Sequence, residues 1–203
     1  KDLTKELMKQ VDLVIVTGSQ NNVRAAYSSG TPAIGVGQGN VTVIIDETCD
    51  LKDAARKIKL SKIFDYATSC SSENNLVVVK KVYDEFIKLL ELEDGLLLNA
   101  DQKKSLQNIL WINGKLNKNI LAKPASTLCK EIDLKIDYSE KTQFLIVEEQ
   151  GIGMEYPFSG EKLSPVLSIY KAEDFQDAKN ISNKILNYQG KGHSIGIYTQ
   201  DSS

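Results

Sequence analysis

Arginine is nearly missing from this chain: Arg24 and Arg56 are the only two among 25 basic residues, and the lysines are scattered instead of gathered into a stripe. With 27 acidic residues and a net charge of −2, nucleic acid is not an expected partner. Histidine is rarer still, since His193 stands alone. The three cysteines, Cys49, Cys70 and Cys129, are an odd number without metal-type spacing. That argues against a disulfide framework or a metal site and for a reducing compartment, the cytoplasm. No stretch approaches the roughly 18 consecutive apolar residues of a membrane span. The opening residues, Lys-Asp-Leu-Thr-Lys, have no signal-peptide core, and a start at Lys1 in mid-pattern is expected of a piece of a longer protein. What is present is the profile of a folded domain: 203 residues, 41% apolar and 26% charged.

Periodicity places alternating strands and helices along the chain. Residues 3–10 read as the end of a helix, and 11–16 as a continuous apolar strand of the kind buried on both faces. A short helix over 21–28, closed by Gly30, and a strand over 32–36 complete what reads as the last βαβ turn of a doubly wound sheet. Strands are then expected at 41–46, 75–79, 144–147, 166–170 and 194–198. Helices are expected at 51–64, 81–92, 101–111 (capped by Asp101), 126–131 and 173–188, the last stopped by Gly190. In the first of these, Leu51, Ala54, Ala55, Ile58 and Ile63 form an approximate apolar stripe. There is no internal repeat and no low-complexity tract.

Two segments carry candidate chemistry. Cys70 lies in Phe-Asp-Tyr-Ala-Thr-Ser-Cys-Ser-Ser-Glu-Asn (64–74), at a helix-to-strand junction among small hydroxyl residues. A thiolate held there can attack a carbonyl, although a lone cysteine also serves as a small buried hydrophobe. Upstream, Gly-Val-Gly-Gln-Gly-Asn (35–40) is followed by a strand where a dinucleotide fingerprint needs a helix N-terminus. The phosphate-cradle reading therefore fails, and the glycines by themselves indicate close backbone packing. Read alone, Glu161 is a solvated carboxylate before a strand, Glu73 faces water or caps a turn, and His193 is a polar residue at a strand start. Cys49 and Cys129 belong to packing.

Taken in order, the segments 12–19, 25–30, 35–40, 45–48, 64–73, 161–167 (Glu-Lys-Leu-Ser-Pro-Val-Leu) and 192–194 (Gly-His-Ser) resemble those of CoA-acylating aldehyde dehydrogenases over nearly the whole chain. The nearest likeness is to acylating sulfoacetaldehyde dehydrogenases and to the aldehyde half of bifunctional aldehyde-alcohol dehydrogenases. The resemblance implies an α/β aldehyde dehydrogenase fold, with 1–36 ending a Rossmann-like dinucleotide-binding domain and 37–203 forming the catalytic domain. It implies NAD or NADP as cofactor, coenzyme A as co-substrate, a small aldehyde as substrate and a homo-oligomeric parent.

By the same resemblance Cys70 is the nucleophile, and His193 lies near it as a base or substrate-orienting group. Thr17, Gly18, Ser19, Val36, Gly37, Glu161 and Pro165 surround the cofactor, with Glu161 on the nicotinamide ribose hydroxyls. The Cys70 amide is one oxyanion donor, the second being an asparagine upstream of this segment. Val36 stands 34 residues before Cys70 (70 − 36), where hydrolytic relatives carry a general-base glutamate. Valine cannot take a proton from water, which favours thioester exchange with CoA over hydrolysis. Gly160 stands where the acylating branch often has a histidine. A hydrolytic or phosphate-linked enzyme, and a module that keeps the fold only for assembly, remain as alternatives.

Overall fold

The computed structural model describes residues 2–134 and 141–202. Six parallel strands form the main sheet: β3 (Val41–Ile45), β4 (Glu73–Val79), β5 (Gly95–Leu97), β8 (Phe144–Glu148), β9 (Val166–Ala172) and β10 (Ile195–Tyr198). Their spatial order is β10-β3-β4-β9-β8-β5. Helices cover both faces, as β-branched and aliphatic runs in parallel strands require. Alternate residues divide between the faces: Val43, Ile45, Leu76 and Val78 pack with α3 (Leu51–Ile63) and α4 (Lys80–Leu92), while Ile44 and Val77 pack with Ala178 and Ile185 of α7 (Phe175–Tyr188). Leu145 and Val147 meet Leu106 and Leu110 of α5 (Ala100–Leu110) and Leu128 of α6 (Ala125–Glu131).

The first residues form a separate unit. After α1 (Asp2–Lys9), strands β1 (Val14–Thr17) and β2 (Ala33–Val36) pair in parallel through α2 (Gln20–Tyr27). The expected two-sided burial of this ribbon is not found: Ile15 is 73% and Ile34 57% exposed. Each strand has one neighbour, and α2 covers one face only, with Val23 and Ala26 buried beneath it.

Three local expectations are corrected. The α5 cap is Asn99, not Asp101; its side chain accepts from the Gln102 amide while Gln102 Oε1 accepts from the Asn99 amide, a reciprocal capping box. The short strand β5 and the two-residue hairpin strands β6 (Trp111–Ile112) and β7 (Lys115–Leu116) are additional elements too brief for a periodic signal. Glu73 is half-buried at the start of β4, and its Oε2 is buried without a hydrogen bond instead of facing water. No helix among the described residues is long and apolar enough to cross a membrane.

Candidate active site

The two units meet end to end. The carboxyl ends of β1 and β2 release residues 17–19 and 37–39, while the segments leading into the amino ends of β3, β4, β9 and β10 carry Asn40, Cys70, Glu161 and His193. Between them lies a cavity of about 490 Å³ lined by Thr17, Gly18, Ser19, Gly37, Cys70, Glu161 and His193, with Gln38, Gly39, Thr68 and Leu163 among the remaining walls. Of the residues expected around the cofactor, Val36 and Pro165 are outside this lining. Val36 ends β2 in register with Thr17, and the Pro165 carbonyl accepts from Leu145 while its ring borders a different hollow beside Tyr66 and Pro124.

Gly39 is the hinge of the arrangement. A side-chain carbon there would sit 2.9 Å from the Cys70 carbonyl oxygen, 3.3 Å from Glu161 Oε1 and 3.4 Å from His193 Cε1. The three groups thus converge on one backbone position, and any larger residue would fill the space between them. This gives the glycine-rich run a function that its sequence pattern alone did not specify.

Cys70 is exposed, the only one of the three thiols that is. It follows a tight turn, Phe64–Ala67, in which Asp65, Tyr66 and Ala67 adopt left-handed backbone angles (φ 48°, 51° and 59°). Thr68 Oγ1 donates to the Asp65 carbonyl at 2.8 Å and to its carboxylate at 2.6 Å, closing the turn. The Ser72 amide then donates to the Ser69 carbonyl, so Cys70 projects from a hydrogen-bonded loop. Cys129 is buried and Cys49 half-buried, and burial pushes each thiol up to about 11, with Asp46 and Asp50 adding to the effect at Cys49. Both fit the packing role expected of them.

Burial raises the Glu161 carboxyl above its ordinary value, opposed by a hydrogen bond from the Gln38 side chain and by the charges of Lys162 and Lys62. Its amide donates to Gln189 Oε1 at 3.1 Å. A side-chain carbon at Gly160 would lie 2.5 Å from Gln189 Oε1, so a larger residue there would have to displace the end of that side chain. His193 accepts the Ser194 amide on Nδ1 at 2.8 Å, and its own amide donates to Gly190. In the neutral ring this hydrogen bond puts the proton on Nε2, so that nitrogen donates instead of acting as a base.

Beneath the site is a layer of polar residues that sequence reading missed. Asn40 Nδ2 donates to the Ser159 and Gln189 carbonyls (2.8 and 3.3 Å), and Asn75 Nδ2 donates to Asn40 Oδ1 (2.9 Å). Asn74 accepts the Lys162 amide and donates to the Ser72 carbonyl, bridging the Glu161 and Cys70 loops. Lys62 is fully buried, and its Nζ donates to the Glu73 carbonyl at 2.7 Å. One signal was available: Lys62 falls four residues after Ile58, on the apolar stripe of α3, where an unpartnered charge does not belong. No group of three or more His, Cys, Asp or Glu among the described residues has a metal-binding arrangement.

Residues 2–93 match the model of the aldehyde dehydrogenase family. The chain is 47% identical to an acylating sulfoacetaldehyde dehydrogenase of Cupriavidus necator, over 99% of this chain and 41% of that protein. Its fold superposes on an acetylating aldehyde dehydrogenase of Geobacillus thermoglucosidasius with a TM-score of 0.92 and 38% identity, over 98% of this chain and 44% of that one. A propionaldehyde dehydrogenase of Rhodopseudomonas palustris, solved with bound propionyl-CoA, superposes with a TM-score of 0.87 and 25% identity, over 99% of this chain and 44% of that one. The chain therefore spans less than half the length of these relatives. By its sequence, its α/β fold and this pattern of similarity, it belongs to the aldehyde dehydrogenase family.

Proposed function

We propose that the protein to which this chain belongs oxidises a small aldehyde with NAD or NADP and delivers the acyl group to coenzyme A. The cavity that Cys70, Glu161 and His193 line together, with the Cys70 backbone carbonyl, Glu161 Oε1 and His193 Cε1 all close to Gly39, carries this reading. Residues 1–36 contribute the end of the cofactor domain and 37–203 the catalytic domain. The cleft suits a nicotinamide cofactor: Gly39 keeps its floor free of side chains, and the half-buried Glu161 carboxylate offers two acceptors for ribose hydroxyls. When bound, that cofactor takes up the hydride released from the substrate carbon. Thr17, Gly18, Ser19 and Gly37 line the same wall.

The Cys70 thiolate adds to the aldehyde carbon, forming a C–S bond and an alkoxide. Among the described residues the Cys70 amide N–H has no protein acceptor, so it is available to donate to that oxygen. His193, donating through Nε2, fits the orientation of substrate oxygen better than removal of a proton. Loss of hydride leaves a thioester on Cys70. The CoA thiolate attacks its carbonyl, the Cys70–acyl bond breaks, and the Cys70 thiolate is regenerated with acyl-CoA as product. Val36 supports this route, since no carboxylate stands there to activate water. The acylating relatives, one of them holding propionyl-CoA, support CoA as the acceptor.

The test is to incubate the full-length protein with aldehyde and NAD without CoA and map the modified peptide by mass spectrometry. An acyl mass on the Cys70 peptide, discharged by CoA, is expected. An unmodified Cys70 with continuing NADH formation contradicts the proposal.

A further inference from the structure

Three successive carbonyls lead into Glu161, and buried side chains hold all of them. Phe158 accepts from Ser168 Oγ and Lys162 Nζ, both at 2.7 Å, and Gly160 accepts from the same Nζ at 2.9 Å. Those two donors come from β9 and the residues leading into it, just downstream in the chain. Ser159 is held differently: its carbonyl accepts from Asn40 Nδ2 at 2.8 Å, across 119 residues, and from Asn75 Nδ2 at 3.4 Å. Asn40 is fully buried and directly follows Gly39, so this bond ties the Glu161 loop to the floor of the cavity. The same Nδ2 donates to the Gln189 carbonyl at 3.3 Å, while the Gln189 side chain accepts the Glu161 amide at 3.1 Å. A side-chain carbon at Gly190 would lie 2.8 Å from Asn40 Cβ, so the next residue after Gln189 also packs on Asn40. Asn75 donates to Asn40 Oδ1 at 2.9 Å, and the carboxamide is thus engaged at both ends.

We propose that Asn40 is a positioning residue for cofactor binding: its carboxamide clamps the Ser159 and Gln189 carbonyls and so fixes where Glu161 stands over Gly39. This role rests on the proposed function, in which Glu161 holds the nicotinamide ribose. Asn40 itself lies outside the cavity lining and acts through Glu161. A carboxamide on a single methylene has little freedom, so both carbonyls are kept at a set distance from the Gly39 backbone. Glu161 Oε1 is within 3.3 Å of the space that a side-chain carbon at Gly39 would take. Without the clamp, the Ser159 carbonyl keeps only the longer bond from Asn75, and Gln189, which anchors the Glu161 amide, loses its tie to the floor. Glu161 then spends part of its time where its oxygens miss the ribose.

In full-length protein, NADH affinity followed by fluorescence is expected to fall about tenfold in Asn40→Ala, the effect of losing two buried hydrogen bonds. In a Glu161→Ala background the same substitution should change affinity by less than about twofold, because the group it positions is gone. Alkylation of Cys70 by iodoacetamide should also stay within about twofold, since the Cys70 loop is closed by its own bonds from Thr68 to Asp65 and from Ser72 to Ser69. A general loosening of the fold would instead move both readouts and would add to the effect of Glu161→Ala. Should the alanine variant fail to fold, Asn40→Ser, whose one hydroxyl proton can serve only one of the two carbonyls, is expected to weaken NADH binding in the same Glu161-dependent way. Unchanged affinity in the folded variant, a loss that persists without Glu161, or an equal change in Cys70 alkylation overturns the inference alone. A wild type that binds NADH no better than Glu161→Ala overturns the proposed role of Glu161, and the inference with it.

Discussion

The ribbon β1–β2 and the six-stranded sheet are built from similar apolar runs, yet they have different surroundings. Val77 and Val78 in β4 lie between two strands and two helical layers and are fully buried, whereas Ile15 and Ile34 lie on the uncovered face of a two-strand ribbon. An apolar run identifies a strand, and the number of its neighbours determines what burial contributes. The two regions also divide the proposed labour, the ribbon ends lining the cofactor wall and the sheet's amino ends carrying Cys70, Glu161 and His193.

The most direct way to break this contrast is by truncation. Phe86→Ala, in the core under the sheet, is expected to destabilise the 203-residue chain by about 3–5 kcal/mol. Ile15→Ala should cost within about 0.5 kcal/mol in the same chain. Urea unfolding with equal costs at both positions would mean that the ribbon packs as tightly as the sheet.

The next test concerns a cost inside the buried sheet region itself. Burial lowers the Lys62 ammonium from 10.5 to about 7, so between those pH values the unfolded chain holds a proton that the folded chain lacks. Stability accordingly rises as pH increases through that window, and the penalty is complete at and below pH 7. Lys62→Met removes the pH-dependent penalty: its stability relative to wild type is expected to be about 3 kcal/mol more favourable at pH 7 than at pH 9.5. Urea unfolding that gives the same difference at both pH values would contradict a charge penalty.

Smaller effects sharpen the picture at the nucleophile loop. Ala67 is held at φ 59°, and Ala67→Gly is expected to raise the unfolding midpoint by relieving about 1 kcal/mol of left-handed strain, partly offset by the freedom of glycine in the unfolded chain. A lowered midpoint would show that the Ala67 methyl packs better than the backbone strains. Alkylation should follow exposure: Cys70 reacts first, while Cys49 and Cys129, with pKa near 11, are about one part in a thousand thiolate at pH 8. Peptide mapping that finds Cys129 modified before Cys70 would contradict the buried packing of α6.

Much of this was legible in the sequence because parallel strands and amphipathic helices leave periodic traces. The strands at 41–46 and 166–170 and the helix at 51–64 were recognisable within a residue or two at most boundaries. The strand β5 was hidden in Leu96-Leu97-Leu98, which runs without a break into the Asn99 cap. Cys70, Glu161, His193 and residues 17–19 could be named from motifs, but their meeting at Gly39 could not. That contact joins segments separated by more than 150 residues, and periodicity carries no information at such range. The polar braces Asn40, Asn74 and Asn75 were invisible for the same reason, since each hydrogen-bonds a backbone or side-chain partner distant in sequence.

The central claim is that the acyl group on Cys70 goes to CoA and not to water. NADH formation by the full-length protein from short aldehydes, including sulfoacetaldehyde, measured with and without CoA for wild type and Cys70→Ala, tests it most directly. Turnover that requires CoA and vanishes in Cys70→Ala is predicted; equal rates without CoA would contradict the account and assign the acceptor role to water.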